Sequence, residues 1–296
     1  MSTPWMIALA SFLFATMGVC VKLASAQYAA GEIVFYRSLT GALAMLAIAR
    51  WQGGRVATAI PAMHFWRSLT GVVSLCLWFY AIGNLPLATA MTLNYMSSVW
   101  MALFLIGGAV ALGTARVDGR MVLTVLLGFA GVALVLRPTI ERQQLWHGLM
   151  GLLSGLFAAM AYLQVTALGR AGEPEYRVVF YFSLGGVVVG GLSLLWTGMH
   201  GHSPGGIALL LAVGLLATAA QLLMTRAYST GATLVNASLQ YLGIAFAYGY
   251  GLLLFDDRLH APAVVGMILI VGAGLFATVL RTRNLVHDPG RPPAES

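Results

Sequence analysis

Three charged side chains stand inside or beside apolar runs early in the chain: Lys22, Glu32 and Arg37. A charge in hydrocarbon is costly, so it is usually paired or functional. Arg37 lies five residues after Glu32. One reading is therefore an Arg37–Glu32 ion pair, with Lys22 snorkelling to the membrane surface. The other is a cationic wall at an outer vestibule. A guanidinium can hold a carboxylate or phosphate through two parallel hydrogen bonds.

Polar side chains also recur at helical spacing within apolar runs. Asn94, Ser98 and Met101 share one face, with Tyr95 beside it. Asn236, Gln240 and Gly243 share another, with Tyr241 beside it. Gln221, Thr225 and Tyr228 form a third, and Ser11, Gly18 and Lys22 a fourth. An amide in hydrocarbon needs a partner. These faces either hydrogen-bond between helices, which is worth about 0.6 kcal/mol on average, or line one wet cavity. Aromatics such as Trp78, Tyr80, Trp100, Tyr162 and Tyr181 serve packing, or as a group offer stacking surface to a flat solute. The candidate substrate-binding set is Lys22, Arg37, Tyr80, Asn94, Tyr95, Ser98, Gln221, Tyr228, Asn236, Gln240 and Tyr241.

Other chemistries lack their residues. No catalytic Ser/His pair, paired acids or metal cluster is visible within the apolar runs, so an enzyme is not expected, and neither is a cofactor. His200 and His202 offer two metal ligands with no acid nearby in sequence. Gly272 to Ala277 fits a dinucleotide glycine pattern formally but follows no strand, and no Walker A sequence is present. No acidic residue lies in the middle of an apolar run. A proton/cation exchanger needs such a carboxylate, so neutral, zwitterionic or anionic solutes are expected. A channel would show a charged or carbonyl-lined filter at one depth, and none is seen.

The elements that must position these residues are membrane spans. Hydrophobic residues make up 59% of the 296 residues and charged residues 8%, too little charge to coat a water-facing surface. The net charge of +7 comes from scattered arginines, without the basic patch that binds nucleic acid. Ten apolar segments are read, at 4–24, 31–49, 65–84, 88–112, 119–137, 147–168, 177–198, 205–227, 233–255 and 261–281. Trp5, Trp51, Trp66 and Trp196 lie near segment ends, as interfacial anchors do. The N-terminal segment lacks a basic region and a cleavage site, so it reads as a permanent span. With the N-terminus inside, eleven Lys and Arg fall on the inner side against five outside. That bias puts both termini in the cytoplasm of a bacterial inner membrane.

The chain also repeats itself. Ser11–Met17 matches Ser154–Met160 at five of seven positions, and Phe35–Gly41 matches Phe180–Gly186 at five of seven. Asn94-Tyr95 falls on Gln240-Tyr241, and Gly128 on Gly274. The offset stays between 143 and 146. A unit of five spans inverts its second copy, a common transporter plan. The expected fold is an all-α membrane protein of ten transmembrane helices in a five-plus-five inverted repeat. The first repeat covers 1–140, the second 141–283, and a disordered cytoplasmic tail 284–296. Gly151-xxx-Gly155 and Gly186-xxx-Gly190 read as close helix contacts.

Phe35-Tyr36-Arg37-Ser38-Leu39, then Phe79-Tyr80 through Leu85-Pro86-Leu87-Ala88, then Arg226-Ala227-Tyr228 and Asp256-Asp257-Arg258-Leu259 resemble the EamA family of the drug/metabolite transporter superfamily. The resemblance spans nearly the whole chain. The family's Gly-Glu-Arg-Leu-like turn is matched after the ninth segment. After the fourth it is replaced by Gly113-Thr114-Ala115-Arg116, without the acid. The resemblance implies alternating-access transport of a small organic metabolite by a monomer or homodimer in the lipid bilayer. Export of an amino-acid-like or aromatic zwitterion is the first expectation, and uptake of a nucleotide- or vitamin-like compound the alternative.

Overall fold

Backbone polar groups in hydrocarbon must be satisfied within their own segment, and long runs of Leu, Ala, Val and Met meet that demand as helices. The computed structural model describes residues 3–111, 142–229, 239–256 and 261–286, with positions 123, 127, 130, 131, 134 and 236. Among the described residues the chain forms α1 (Thr3–Ala24), α2 (Ala30–Trp51), α3 (Pro61–Asn84), α4 (Leu87–Tyr95), α5 (Ser97–Ala111), α6 (Arg142–Arg170), α7 (Glu175–Thr197), α8 (Pro204–Ser229), α9 (Leu242–Leu254) and α10 (Ala261–Val286). Six segments among the described residues, lying in α1, α2, α3, α6, α7 and α8, are long and apolar enough to cross a membrane. Prolines mark the starts: Pro61 opens α3, Pro204 opens α8, and Pro86 and Pro174 precede α4 and α7. A proline has no N–H to waste at a helix's first turn.

Several boundaries differ from the sequence expectation. The fourth segment is not one helix. It is interrupted at Met96, leaving α4 with 9 residues and α5 with 15. The ninth is likewise interrupted, with a turn at Gln240 and Tyr241 before α9. The break lies where α6 approaches most closely, with Gly155 against the carbonyl oxygens of Leu93 and Asn94. The tail boundary also moves, since α10 continues to Val286. Most of the fifth segment, the Gly113–Arg116 turn, Asp257–Leu259, Gly128 and the chain beyond Val286 lie outside the described residues.

Helices associate in lipid through close packing of small residues. On α2 and α7, Ser38 sits against Gly186, Ser183 against Gly41, and the Phe35 backbone against Gly190. A methyl at Gly190 would lie 2.7 Å from the Phe35 nitrogen, so only glycine allows this approach. α1 packs on α8 and α9, while α3 packs on α6 and α7. α6 crosses the interruption at Met96. A Cβ at Gly155 would meet the carbonyl oxygens of Leu93 at 2.7 Å and Asn94 at 2.9 Å.

Candidate functional site

α1, α2, α3, α4, α6, α7 and α8 meet around a small cavity of about 50 Å³, room for one or two waters. Phe14, Leu75, Trp78, Tyr162, Phe182 and Met224 supply its apolar wall. Its polar wall is Arg37, Arg67, Ser74, Asn94, Tyr95 and Gln221, with no acidic residue among the lining residues.

Arg37 and Arg67 dominate the site. They are 3% and 2% exposed. Both guanidinium groups lie over the Phe182 ring, with Cζ 4.7 Å from its centroid for Arg37 and 4.4 Å for Arg67. A cation over an aromatic face gains roughly 2 kcal/mol when desolvated, far less than the hydration it gives up. The Arg37 Nε and the Arg67 Nε and Nη1 have no hydrogen-bond partner. Trp78 Nε1 and Tyr95 OH, in the same wall, have none either. The cavity thus concentrates donors and positive charge. Gly71 makes room for it, since a methyl there would collide with Arg67 Nη1 and crowd the Phe182 ring.

Asn94 is held from behind. Its Nδ2 donates to Ser154 Oγ at 2.9 Å, which donates to the Gly151 carbonyl at 2.6 Å. Ser74 Oγ donates to the Ser154 carbonyl at 2.8 Å. This network ties α3 and the end of α4 to α6. On α8, Gln221 Nε2 lies 3.4 Å from Thr225 Oγ1.

Of the candidate residues, Arg37, Asn94, Tyr95 and Gln221 line the cavity. Tyr228 and Gln240 stand one layer behind. Tyr228 stacks on Tyr162 with centroids 5.1 Å apart, and Gln240 Nε2 approaches Met224 Sδ at 3.0 Å. Ser98 and Tyr241 are buried outside the lining. Asn236 donates to the Ala227 carbonyl at 2.7 Å, bracing α8. Tyr80 packs on His147, centroids 5.3 Å apart. Lys22 is not among the lining residues: its Nζ donates to the Leu85 carbonyl at 2.6 Å and lies 5.5 Å from the Phe255 ring centroid.

The Arg37–Glu32 pair is not formed. Glu32 is fully buried and turns to the α7–α8 connection, where His200 Nδ1 lies 2.7 Å from one carboxylate oxygen and His202 Nε2 3.6 Å from the other. The two histidines therefore have an acid beside them in space although none is near in sequence. Among the described residues no group of three His, Cys, Asp or Glu side chains could hold a metal.

Sequence reasoning misses Arg67, which it counts as an inner-side charge at the start of the third segment. α3 begins four residues earlier, at Pro61, so Arg67 lies more than a turn inside the helix. The proline at 61 is the available signal.

A model of the EamA-like transporter family matches residues 1–137. The pseudopaline exporter CntI of Pseudomonas aeruginosa (strain UCBPP-PA14) is 33% identical over 268 residues, 90% of this chain and 92% of that protein. A riboflavin transporter of Rhizobium johnstonii is 29% identical over 230 residues, 75% of this chain and 73% of that one. A solved crystal structure with 16% identity superposes at a TM-score of 0.67, covering 96% of this chain and 98% of the other. Together with the apolar helices, these relatives make the chain a bacterial multi-pass membrane protein with a small-molecule substrate.

Proposed function

Because the chain belongs to the EamA-like transporter family, we propose that it exports a small amino-acid-like metabolite through at least one carboxylate held by Arg37 and Arg67. The observation that carries this reading is the pair of buried guanidinium groups facing one cavity without an acidic residue in its wall. Two uncompensated cations inside a membrane protein are tolerated when an anion is their working partner. Trp78 Nε1 and Tyr95 OH add donors for the same anion, and Asn94 and Gln221 suit an amino group or amide elsewhere on the solute. Export is favoured by the relative named a pseudopaline exporter.

The transporter works by alternating access between two inverted five-span halves. Contacts across the α2–α7 interface support this reading. Ser38 and Ser183 are related by the repeat, as are Gly41 and Gly186, and each serine touches the glycine of the other copy. Arg37 meets its own repeat counterpart, Phe182, as residues near a two-fold axis do. The packing of α1 on α8 is mirrored by α3 on α6. The interruptions at Met96 and at Gln240–Tyr241 fall at matching places, where transporters of inverted plan build their sites. Both termini face the cytoplasm: with the two cavity arginines removed from the count, ten Lys and Arg remain inside against four outside.

The aromatic wall and the riboflavin-transporting relative favour one other reading, uptake of a flat vitamin-like compound. Counterflow into proteoliposomes of the purified protein separates the two. Labelled acidic, neutral and aromatic amino acids and riboflavin are each offered. Exchange of amino acids, abolished when the carboxylate is amidated, supports the proposal. Exchange of riboflavin alone replaces it with the second reading.

A further inference from the structure

A buried carboxylate meets histidine at each end of the helices, and each time the partners come from opposite halves of the chain. At one end, α1 leads into α2 and α7 leads into α8. Here Glu32 of α2 accepts from His200 at 2.7 Å, approaches His202 at 3.6 Å, and lies 3.3 Å from the His200 backbone nitrogen. At the other end, α2 leads into α3 and α6 leads into α7. There Glu173 accepts from Thr58 Oγ1 at 2.9 Å and meets His64 Nε2 at 3.1 Å. Arg177 reinforces this second cluster: its Nη1 donates to Glu173 at 2.9 Å, and its Nη2 donates to the Arg55 carbonyl at 2.9 Å. The cavity with Arg37 and Arg67 lies between the two ends.

The clusters differ in chemistry. Around Glu32 the facing titratable groups are His200, His202, Tyr28 and Tyr36, and none carries a permanent charge. Around Glu173 the facing groups are His64 and the permanently charged Arg177, with Tyr181 on the far side of the His64 ring. Imidazole gains and loses its proton near neutral pH, whereas guanidinium stays charged.

We propose that these clusters are the latches of the two gates of alternating access, Glu32 with His200 and His202 forming a proton-sensitive latch and Glu173 with Thr58, His64 and Arg177 a second latch anchored by a permanent charge. The inference rests on the alternating-access reading above. Opening the Glu32 end pulls α2 away from the α7–α8 connection and breaks the carboxylate–imidazole contacts. Opening the Glu173 end separates α6–α7 from the start of α3 and from Arg55. Protonated imidazoles hold the Glu32 carboxylate by charge-assisted bonds, and loss of their protons weakens that hold. Acid therefore favours the state closed at the Glu32 end, while the permanent charge of Arg177 keeps its hold on Glu173. His64 sits one turn before Arg67 on α3, so the Glu173 latch is braced on the helix that carries a cavity arginine.

Spin labels test this in the purified full-length carrier in nanodiscs, with Cys20 and Cys76 first replaced by alanine. Distances are read between cysteines placed at Ala26 and Gly201 for the Glu32 end, and at Gln52 and Ala171 for the Glu173 end. Raising the pH from about 5.5 to about 8 is expected to raise the open-to-closed ratio at the Glu32 end roughly five-fold or more, the difference between a charge-assisted and a neutral hydrogen bond. The Glu173 pair should hold its distance. Glu32→Gln should abolish the response, and Glu173→Gln should raise the open fraction of the second end, most at the acid pH that holds the Glu32 end closed. A Glu32-end distribution that ignores pH overturns the latch, and the wild-type titration alone establishes this even if a variant fails to fold. An unchanged response when His200 and His202 are both replaced by alanine overturns it equally. If the Glu173 pair moves on mutation but the Glu32 pair ignores pH, only the latch fails. If neither pair moves under any condition, the alternating-access reading fails with it.

Discussion

Replacing Arg67 separates a working cation from a structural one. Its Nε and Nη1 are unpartnered donors on different sides of the guanidinium, so each can give one charge-assisted hydrogen bond to an anion in the cavity. Each is worth about 1.5–3 kcal/mol. Arg67→Lys keeps the charge and loses the planar fork, which removes at least one of these bonds. At 1.4 kcal/mol per ten-fold, the half-saturating concentration in a counterflow assay should rise roughly ten- to hundred-fold. Arg67→Met should abolish transport and, by removing a buried charge that no acid balances, leave the substrate-free protein as stable or more stable. Thermal unfolding in detergent reads this as a melting temperature unchanged or raised by a few degrees. Normal affinity in Arg67→Lys, or a marked loss of stability in Arg67→Met, would show that Arg67 is part of the scaffold.

Gly155→Ala should shift α6 away from the Met96 interruption, because its methyl would sit 2.7 Å from the Leu93 carbonyl oxygen; a cost of about 1–3 kcal/mol should appear as a lower melting temperature. Glu173 lies in the connection before α7. Burial raises its pKa, but hydrogen bonds from Arg177, Thr58 and His64 outweigh that and hold it below the usual carboxylate range. Its contribution to stability is therefore complete above the ordinary carboxylate pKa and lost as pH falls through its lowered value. Thermal melts across acid pH should show that loss, and Glu173→Gln should flatten it. Single cysteines at Gly53 and Gly201 should label from opposite sides of the membrane, Gly53 from the cytoplasm, and labelling from one side would defeat the topology.

Helix positions are legible because apolar runs of membrane length have one solution for their backbone. Span three reads late because Ala62 to His64 resemble a connection, whereas Pro61 is the true start of α3. That error moves Arg67 to the surface. The interruption at Met96 has no proline or glycine to mark it. Met96 keeps right-handed helical angles, φ −56° and ψ −13°, and the ladder yields where Gly155 brings α6 against the Leu93 and Asn94 carbonyl oxygens. Arg37 is found from its own local context, because an arginine two turns into an apolar helix is conspicuous. Glu32 is misassigned because its partners lie 168 and 170 positions away in sequence. Spacing argues only for neighbours on one helix, and Glu32 turns instead to the opposite half of the chain.

The central claim is that Arg37 and Arg67 together hold the carboxylate of the exported solute. Equilibrium binding of one transported amino acid and its methyl ester to the purified carrier tests it most directly. The account predicts that the ester binds at least about ten-fold more weakly, and that the difference disappears in the Arg37→Gln, Arg67→Gln double variant. Equal binding of acid and ester to the unaltered protein would contradict it.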